Sequence, residues 1–197
     1  MNMAVEFTAP VAPAIETGRL ILTPPTFADA PRIAALCNDR TVAENTTRIP
    51  HPYSEQDAIS WLGTLGERPT TDQAVFGIWL NIPERVLIGA IGLERLTSGS
   101  EPALGYWLGA GYRGRGFATE AAKAILGYGF QVLGHDAVVA SCRLTNAASR
   151  RVIEKCGFTY AGLTRSYLLA LDQEEPMDFF RLSREQWSRR RRAAAIG

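Results

Sequence analysis

The sequence predicts one mixed α/β domain whose central sheet is mostly antiparallel and is flanked by helices. The chain has 197 residues, which is enough for one domain with a sizeable core and short for two. Hydrophobic residues make up 46% and charged residues 21%, as in an ordinary globular protein. Strand-like and helical segments follow one another without an internal repeat or a long linker. We therefore predict a flexible tail over residues 1–18, one domain over 19–188 and a basic tail over 189–197.

The first elements are a strand and two helices. Residues 19–26, "RLILTPPT", alternate apolar residues and then stop at two prolines, which predicts a strand. Thr26 and Asp29 form a capping-box pattern before the helical run at 30–39. Ser54 can likewise accept from the amide of Asp57, which predicts a second helix there.

The middle of the chain predicts strands. "AVFGIWL" and "RVLIGAIGLERL" flank the turn-like "NIPE", so the two apolar runs are predicted to form an antiparallel hairpin. "ALGYWLG", residues 103–109, is the next strand, and it leads into a glycine-rich loop. This loop is the most informative segment of the sequence.

The last third alternates helices and strands. A helix over Phe117–Leu133 is predicted to end at Gly134, and a β-branched strand follows over 137–144. Asn146 and Gly157 bracket the next helix as its N-cap and its stop. Two closing strands, "FTYAGLTRSYLL" and "MDFFRLS", precede a short helix that Ser183 and Gln186 cap and that ends among the arginines at 189–192.

Charge and cysteine content exclude several classes of protein. The formal net charge is +1, which gives no general attraction to nucleic acid or membranes, and "RRRR" near the end is typical of a solvated helix tail. Three cysteines are too few for a disulfide framework or a zinc site, so no metal is expected. No run approaches the roughly 18 apolar residues of a membrane span, and residues 1–16 make a poor signal peptide. The cytoplasm is the expected compartment.

The glycine loop predicts a phosphate site. Gly109, Gly111 and Gly114 spell G-x-G-x-x-G between a strand and a helix, an arrangement that directs several N–H groups at one point. A nicotinamide site would need a carboxylate at the end of the next strand, but that strand ends "SCRLTN". The P-loop pattern is also absent from the sequence. The two arginines among the glycines favour an anionic ligand.

Residues Arg113–Ala118, "RGRGFA", match R/Q-x-x-G-x-G/A, the pyrophosphate loop of the GNAT superfamily of acetyl-CoA-dependent N-acetyltransferases. The segments "RLILTPPTFADA", "IPHPYSEQDA", "ASCRLTNAASRRVIEKCGF" and "RLSREQW" resemble its ribosomal-protein N-terminal acetyltransferase, or Rim-type, branch. The resemblance covers nearly the whole chain outside the tails. It implies a GNAT-like fold in which one pair of strands splays apart to admit pantetheine.

The resemblance also implies a cofactor site. Backbone groups of Trp107, Leu108 and Gly109 are expected to pair with the pantetheine, and Asn146 is expected on the far side of the cofactor. Arg151 and Lys155 lie four apart on one helical face and either reach a cofactor phosphate or face solvent. The backbone amides expected to hold the pyrophosphate are those of Arg113, Gly114, Arg115, Gly116, Phe117, Ala118 and Thr119.

In this family a free amine attacks the thioester directly, which requires a base for the amine and an acid for the leaving thiolate. Glu94 is the candidate base, with Glu101 as a second candidate, although Glu94 could also be a solvent-facing strand residue. Many members place a tyrosine acid where this chain has Ile153, but the Rim-type N-x-x-S is present as Asn146 and Ser149. Ser149 is therefore the candidate acid, with local helix capping as the alternative. A cysteine acyl-enzyme is rejected, Cys142 being the one thiol worth checking.

The acceptor remains open at this stage. His51 and Tyr53 fall in the segment that walls the acceptor site in members of the family, and they are the candidate substrate-binding residues. The expected acceptor is a protein or peptide α-amine. A small-molecule amine such as an aminoglycoside, polyamine or amino acid is the alternative, as is a non-catalytic acetyl-CoA-binding regulatory module. Members of the family are often monomers or dimers, and a homodimer is the possible assembly considered for this chain.

Overall fold

The computed structural model describes residues 14–66 and 69–196, with side chains to residue 193. The predicted tail at 1–18 lies mostly outside the described residues, and its last part contains a two-residue strand. None of the helices in the described part of the chain has the length and apolar character of a membrane span.

The described residues form one sheet of eight strands in the order β1-β2-β3-β4-β5-β6-β8-β7. Its neighbouring strands pair antiparallel, except that β5 and β6 run parallel. This mixed, mostly antiparallel sheet confirms the predicted fold class. The strands are β1 Ile15–Glu16, β2 Leu20–Thr23, β3 Gln73–Leu80, β4 Leu87–Glu94, β5 Ala103–Leu108, β6 Ala137–Arg143, β7 Thr159–Leu168 and β8 Gln173–Ser183.

Six α-helices accompany the sheet in the described residues: α1 Ala30–Cys37, α2 Arg40–Ala43, α3 Glu55–Gly63, α4 Phe117–Gln131, α5 Ala147–Cys156 and α6 Arg184–Ile196. The predicted caps of α3 and α5 are confirmed, because the Ser54 hydroxyl accepts from the Asp57 amide and the Asn146 side chain accepts from the Ser149 amide. α2 was not predicted, since four residues are too short to show a periodic pattern. α6 continues to Ile196, beyond the predicted end at residues 189–192.

Two apolar clusters hold these elements together. The larger one packs α4, through Phe117, Ile125 and Phe130, against the central strands. The smaller one joins α1 and α3 through buried residues that include Ile33 and Tyr53. Between them, the clusters fix the start of α4 on one side of the sheet centre and the α1–α3 region on the other.

The parallel strands β5 and β6 separate soon after they meet. In the described residues their register consists of one pair, Ala103 with Val139, next to which the Val139 amide donates to the Pro102 carbonyl at 3.0 Å. β5 continues to Leu108 and β6 to Arg143, so the rest of both strands flanks an open gap. The splayed strand pair implied by the family resemblance is therefore present.

Candidate active site

The glycine loop ends in a helix start with unused amides. Gly114 and Gly116 have φ angles of +75° and +83°, a left-handed conformation that an L side chain adopts only at a cost. Gly116 is the N-cap of α4, and the first hydrogen bond of this helix runs from the Glu120 amide to the Gly116 carbonyl at 3.1 Å. Within the described residues, the N–H groups of 114–119 donate no hydrogen bond. These amides and the positive end of the helix dipole suit phosphate oxygens.

Arg113 corrects part of the sequence reasoning. Its guanidinium donates to the Leu108 carbonyl at 3.0 Å, to the Thr41 hydroxyl at 2.6 Å and to the Asp39 carboxylate at 3.4 Å. Its amide is also engaged, with the Ala110 carbonyl at 3.3 Å. Arg113 therefore has protein partners for its charge and ties the loop to α2, so its presence did not require an anionic ligand.

Arg115 lies against an aromatic ring. Its guanidinium is 4.9 Å from the centroid of Phe117, and that of Arg19 is 4.7 Å from the same centroid. Arg19 also donates to the Arg115 carbonyl at 3.0 Å and to the Glu120 carboxylate at 2.7 Å. These contacts hold the loop against the first turn of α4.

The strand pairing decides which backbone groups of β5 face the gap. The Gly109 amide donates to the Ile88 carbonyl and its carbonyl accepts from the Tyr112 amide, both at 3.0 Å, so neither group is available to a cofactor. Trp107 lies two residues earlier, on the side that pairs with β4, because bonded positions alternate along an antiparallel pair. The gap-facing groups are those of Tyr106 and Leu108. Trp107 and Gly109 were expected to pair with pantetheine, but their backbone groups do not face the gap. Leu108 remains a candidate through its amide, because the Leu108 carbonyl already accepts from Arg113.

A cleft of about 540 Å³ lies on the sheet beside this gap. Its lining includes Tyr106 of β5 and Ser149 and Ile153 of α5. The hydroxyls of Tyr106 and Ser149 are 2.9 Å apart. Because Asn146 caps α5, the Ser149 hydroxyl is left for this contact and does not serve as the local cap.

Tyr106 was missed by the sequence reasoning, which looked for a tyrosine only at the position of Ile153. Burial raises the pKa of Tyr106 well above its usual range, and the hydrogen bond with Ser149 opposes this only in part. The phenol is therefore neutral at physiological pH and carries its proton in the resting site.

Glu94, the last residue of β4, also lines the cleft. Its carboxylate is 2.5 Å from a guanidinium nitrogen of Arg48, and the side chains are 14% and 65% exposed, respectively. The second candidate base, Glu101, is instead held by Arg181 through contacts of 2.6–3.0 Å and is absent from the lining. Glu94 is thus the glutamate that the fold brings to the cleft.

The two residues predicted to bind the acceptor differ in their position relative to the cleft. Tyr53 is buried and lines the cleft, whereas His51 is exposed and lies outside the lining. The nearby wall formed by residues 45–50 is anchored across the sheet, because the Leu169 amide donates to the Thr47 carbonyl at 3.2 Å. Arg143 adds a second anchor at the Glu44 carbonyl, 3.1 Å away.

Arg151 and Lys155 are exposed on α5, and their side chains make no hydrogen bond or ion pair with another described residue. Their reach toward a cofactor phosphate stays a prediction.

Cys142 and Cys156 are not activated as nucleophiles. Burial raises the pKa of Cys142 and of Cys156 to about 11. Both thiols are therefore protonated at neutral pH, which agrees with direct attack by the amine and not with a cysteine acyl-enzyme.

The free amides at the start of α4 lie beside an opened pair of parallel strands, and a carboxylate and two hydroxyls line the adjoining cleft. This arrangement is typical of an enzyme that transfers an acyl group from a pyrophosphate-bearing cosubstrate. The family described as "Acetyltransferase (GNAT) domain" matches residues 19–159, and the chain belongs to it. It is an acetyl-CoA-dependent N-acetyltransferase.

Individual relatives agree with this assignment. An uncharacterized N-acetyltransferase, YoaA of Bacillus subtilis, is 32% identical over 79% of this chain and 88% of its own length. The putative ribosomal N-acetyltransferase YdaF of the same organism is 28% identical over 51% of this chain and 56% of its own length. The structure of Mycobacterium smegmatis RimJ in complex with CoA-disulfide shares the fold with a TM-score of 0.73, at 20% identity and 89% coverage of both chains. The resemblance to the GNAT superfamily is confirmed by the match over residues 19–159.

Proposed function

We propose that this protein acetylates the N-terminal α-amine of a protein or peptide. The observation that carries the proposal is that the Glu94 carboxylate and the Tyr106–Ser149 hydroxyl pair line one cleft beside the β5–β6 gap. A base for an incoming amine and an acid for a leaving thiolate are the two groups that direct acetyl transfer requires.

Each step is assigned to residues of this chain. The amides of 114–119 hold the pyrophosphate of acetyl-CoA, and the gap-facing groups of Tyr106 and Leu108 pair with its pantetheine arm. The cosubstrate supplies the acetyl group as a thioester. Glu94 takes a proton from the acceptor amine, directly or through water, and the Tyr106 hydroxyl, supported by Ser149, returns a proton to the sulfur.

The charges of the cleft favour an acceptor with a single amine over a polycation. Two carboxylates line it, Glu94 and Asp57. Arg48 already pairs with Glu94, and Asp57 accepts from the amide and hydroxyl of Ser54 at 2.8 and 2.5 Å. Ser54 is neutral, so the Asp57 carboxylate keeps its charge. The lining therefore carries two negative charges and one positive charge, which match one ammonium group but not the several of a polyamine or aminoglycoside. The name of YdaF, a putative ribosomal N-acetyltransferase, points the same way.

Thiol release from acetyl-CoA tests the proposal. We expect turnover with short peptides that carry a free N-terminus, and none with the same peptides after N-terminal acetylation. Turnover with spermidine or kanamycin but with no peptide would replace the acceptor by a small molecule. Binding of acetyl-CoA without turnover of any amine would instead indicate a regulatory module.

The proposal also covers the cellular compartment and the oligomeric state of the protein. We place the enzyme in the cytoplasm, and the three free, buried cysteines support a reducing environment. A homodimer stays a prediction, which sedimentation equilibrium tests.

A further inference from the structure

The Arg48–Glu94 pair spans the cleft. Arg48 belongs to the wall at 45–50, whereas Glu94 ends β4 on the sheet. The backbone of the wall is anchored next to Arg48 by the Thr47–Leu169 hydrogen bond. The arginine side chain, 65% exposed, therefore reaches from a fixed wall to a carboxylate that is only 14% exposed.

The position of this pair keeps Arg48 away from the cofactor phosphates. Glu94 pairs with Ala103, the first residue of β5, and the glycine loop follows Leu108, the last residue. At about 3.3 Å per residue, these ends lie roughly 17 Å apart along the strand. An anion that recruits Arg48 must therefore come from the acceptor.

An amine that binds at Glu94 creates an electrostatic problem. The amine arrives as an ammonium ion, and the carboxylate then has two cations beside it, the ammonium and Arg48, which repel each other. When Glu94 accepts a proton from the amine, its negative charge is lost and Arg48 is left without a partner. A negative charge on the acceptor, close to its amine, compensates Arg48 in both situations.

From this arrangement we infer that the acceptor carries a carboxylate next to its amine and that Arg48 binds that carboxylate. The inference rests on the proposed function and narrows its substrate class. Two sources offer this chemistry: a polypeptide whose first or second residue is aspartate or glutamate, and a free α-amino acid. Arg48 is thus a specificity-determining residue, and Glu94 binds the amine.

Steady-state kinetics with matched acceptors test the inference. The peptides Ser-Asp-Ala-Ala-Ala-amide and Ser-Asn-Ala-Ala-Ala-amide differ only in the carboxylate, and glycine and glycinamide form the corresponding free amino acid pair. For the source that is used, we expect the carboxylate-bearing member to have a kcat/KM about twofold to fivefold higher, through a lower KM, because one partly exposed ion pair is gained.

Arg48→Ala is expected to abolish this ratio, and Arg48→Glu to invert it in favour of Ser-Lys-Ala-Ala-Ala-amide. The matched control is Arg40→Ala, which removes another exposed arginine, in α2, that is paired with Glu44 at 2.6 Å outside the cleft lining. The control should keep the wild-type ratio.

The outcomes separate the two claims. Acetylation of both peptides at equal rates, or a ratio that survives Arg48→Ala, overturns the role of Arg48 and leaves peptide acetylation standing. Acetylation of glycine but of no peptide overturns the peptide acceptor, and the Arg48 ratio for glycine over glycinamide then decides the inference. Failure to acetylate any of these amines overturns both the proposed acceptor and the role of Arg48.

Discussion

Replacing Gly116 by alanine separates the phosphate-binding role of the loop from its role in the fold. With φ at +83°, the new Cβ places an L residue in the left-handed region, which costs about 1–2 kcal/mol. The Cβ would come 3.4 Å from an Arg19 nitrogen at the end of a flexible side chain, so steric strain adds little. At about 2–4 °C per kcal/mol for a chain of this size, we expect a fall in Tm of roughly 2–8 °C.

The effect on the cosubstrate should be larger than this change in stability implies. Residue 116 lies among the amides of 114–119 that would bind phosphate. Alanine keeps its N–H, but any relaxation of its strained φ turns this amide away from the phosphate. A hydrogen bond to a charged group contributes about 1.5–3 kcal/mol. Loss of a single such bond raises the Kd for acetyl-CoA about tenfold or more. Isothermal titration gives the Kd, and thermal unfolding followed by circular dichroism gives the Tm.

Gly99→Ala is the matched control. Gly99 has a φ of +78° and no atom within 4 Å of a built Cβ, and it lies in the turn between β4 and β5, away from the glycine loop. It should lose a similar amount of stability and keep the wild-type Kd. An unchanged Kd in Gly116→Ala, or an equal loss of affinity in both variants, would refute the assignment of the loop to phosphate binding.

Three further predictions concern the proton donor, the thiols and a buried histidine. Tyr106→Phe should lower kcat at least about a hundredfold with little change in the KM for acetyl-CoA. Ser149→Ala should lower kcat less than Tyr106→Phe, because the serine only supports the phenol. A larger loss of kcat in Ser149→Ala than in Tyr106→Phe, measured by stopped-assay kinetics, would instead make Ser149 the acid. Iodoacetamide at pH 7.5 should leave Cys142 of the native protein unmodified, because its pKa is raised to about 11, and alkylation seen by mass spectrometry without denaturant would contradict this. Burial, with Arg95 and Arg184 adding to it, lowers the pKa of His135 below the ordinary 6.5, so the folded state binds fewer protons than the unfolded state and stability should fall as the pH drops below about 6.5. The decrease in Tm from pH 7.5 to 5 should be smaller in His135→Gln than in the wild type.

The sequence predicted the parts of the site that depend on local chain geometry. The glycine loop, the N-cap at Asn146 and the stop at Gly157 are set by neighbouring residues, so their positions could be derived from composition and spacing. The splayed strands followed from the family resemblance, because nothing in the local pattern of either strand encodes where their pairing ends.

The residues that were missed depend on long-range pairing. Tyr106 meets Ser149 across 43 positions of sequence, and Arg48 meets Glu94 across 46. Arg113 was predicted to face an anion, but its partners Asp39 and Thr41 lie more than 70 positions earlier, at the start of a helix too short to be recognised. Registers between distant segments decide such contacts, and a single sequence does not contain them.

The wall at 45–50 is held at Thr47 by Leu169, and the neighbouring Glu44 is held by Arg143, so its position depends on segments that are distant in sequence. The residues that we propose for the phosphates, the pantetheine arm and the base lie in one continuous stretch, β4 to α4, whereas the wall at 45–50 depends on the early loop and on the β7–β8 turn. Substitutions or length changes in that turn would reshape the wall while the strands and loop beneath it stay as they are. We therefore expect relatives with this architecture to differ in their acceptors while they keep the same catalytic residues. Exchange of two segments together, the early loop and the turn that holds it, should transfer acceptor selectivity from one relative to another.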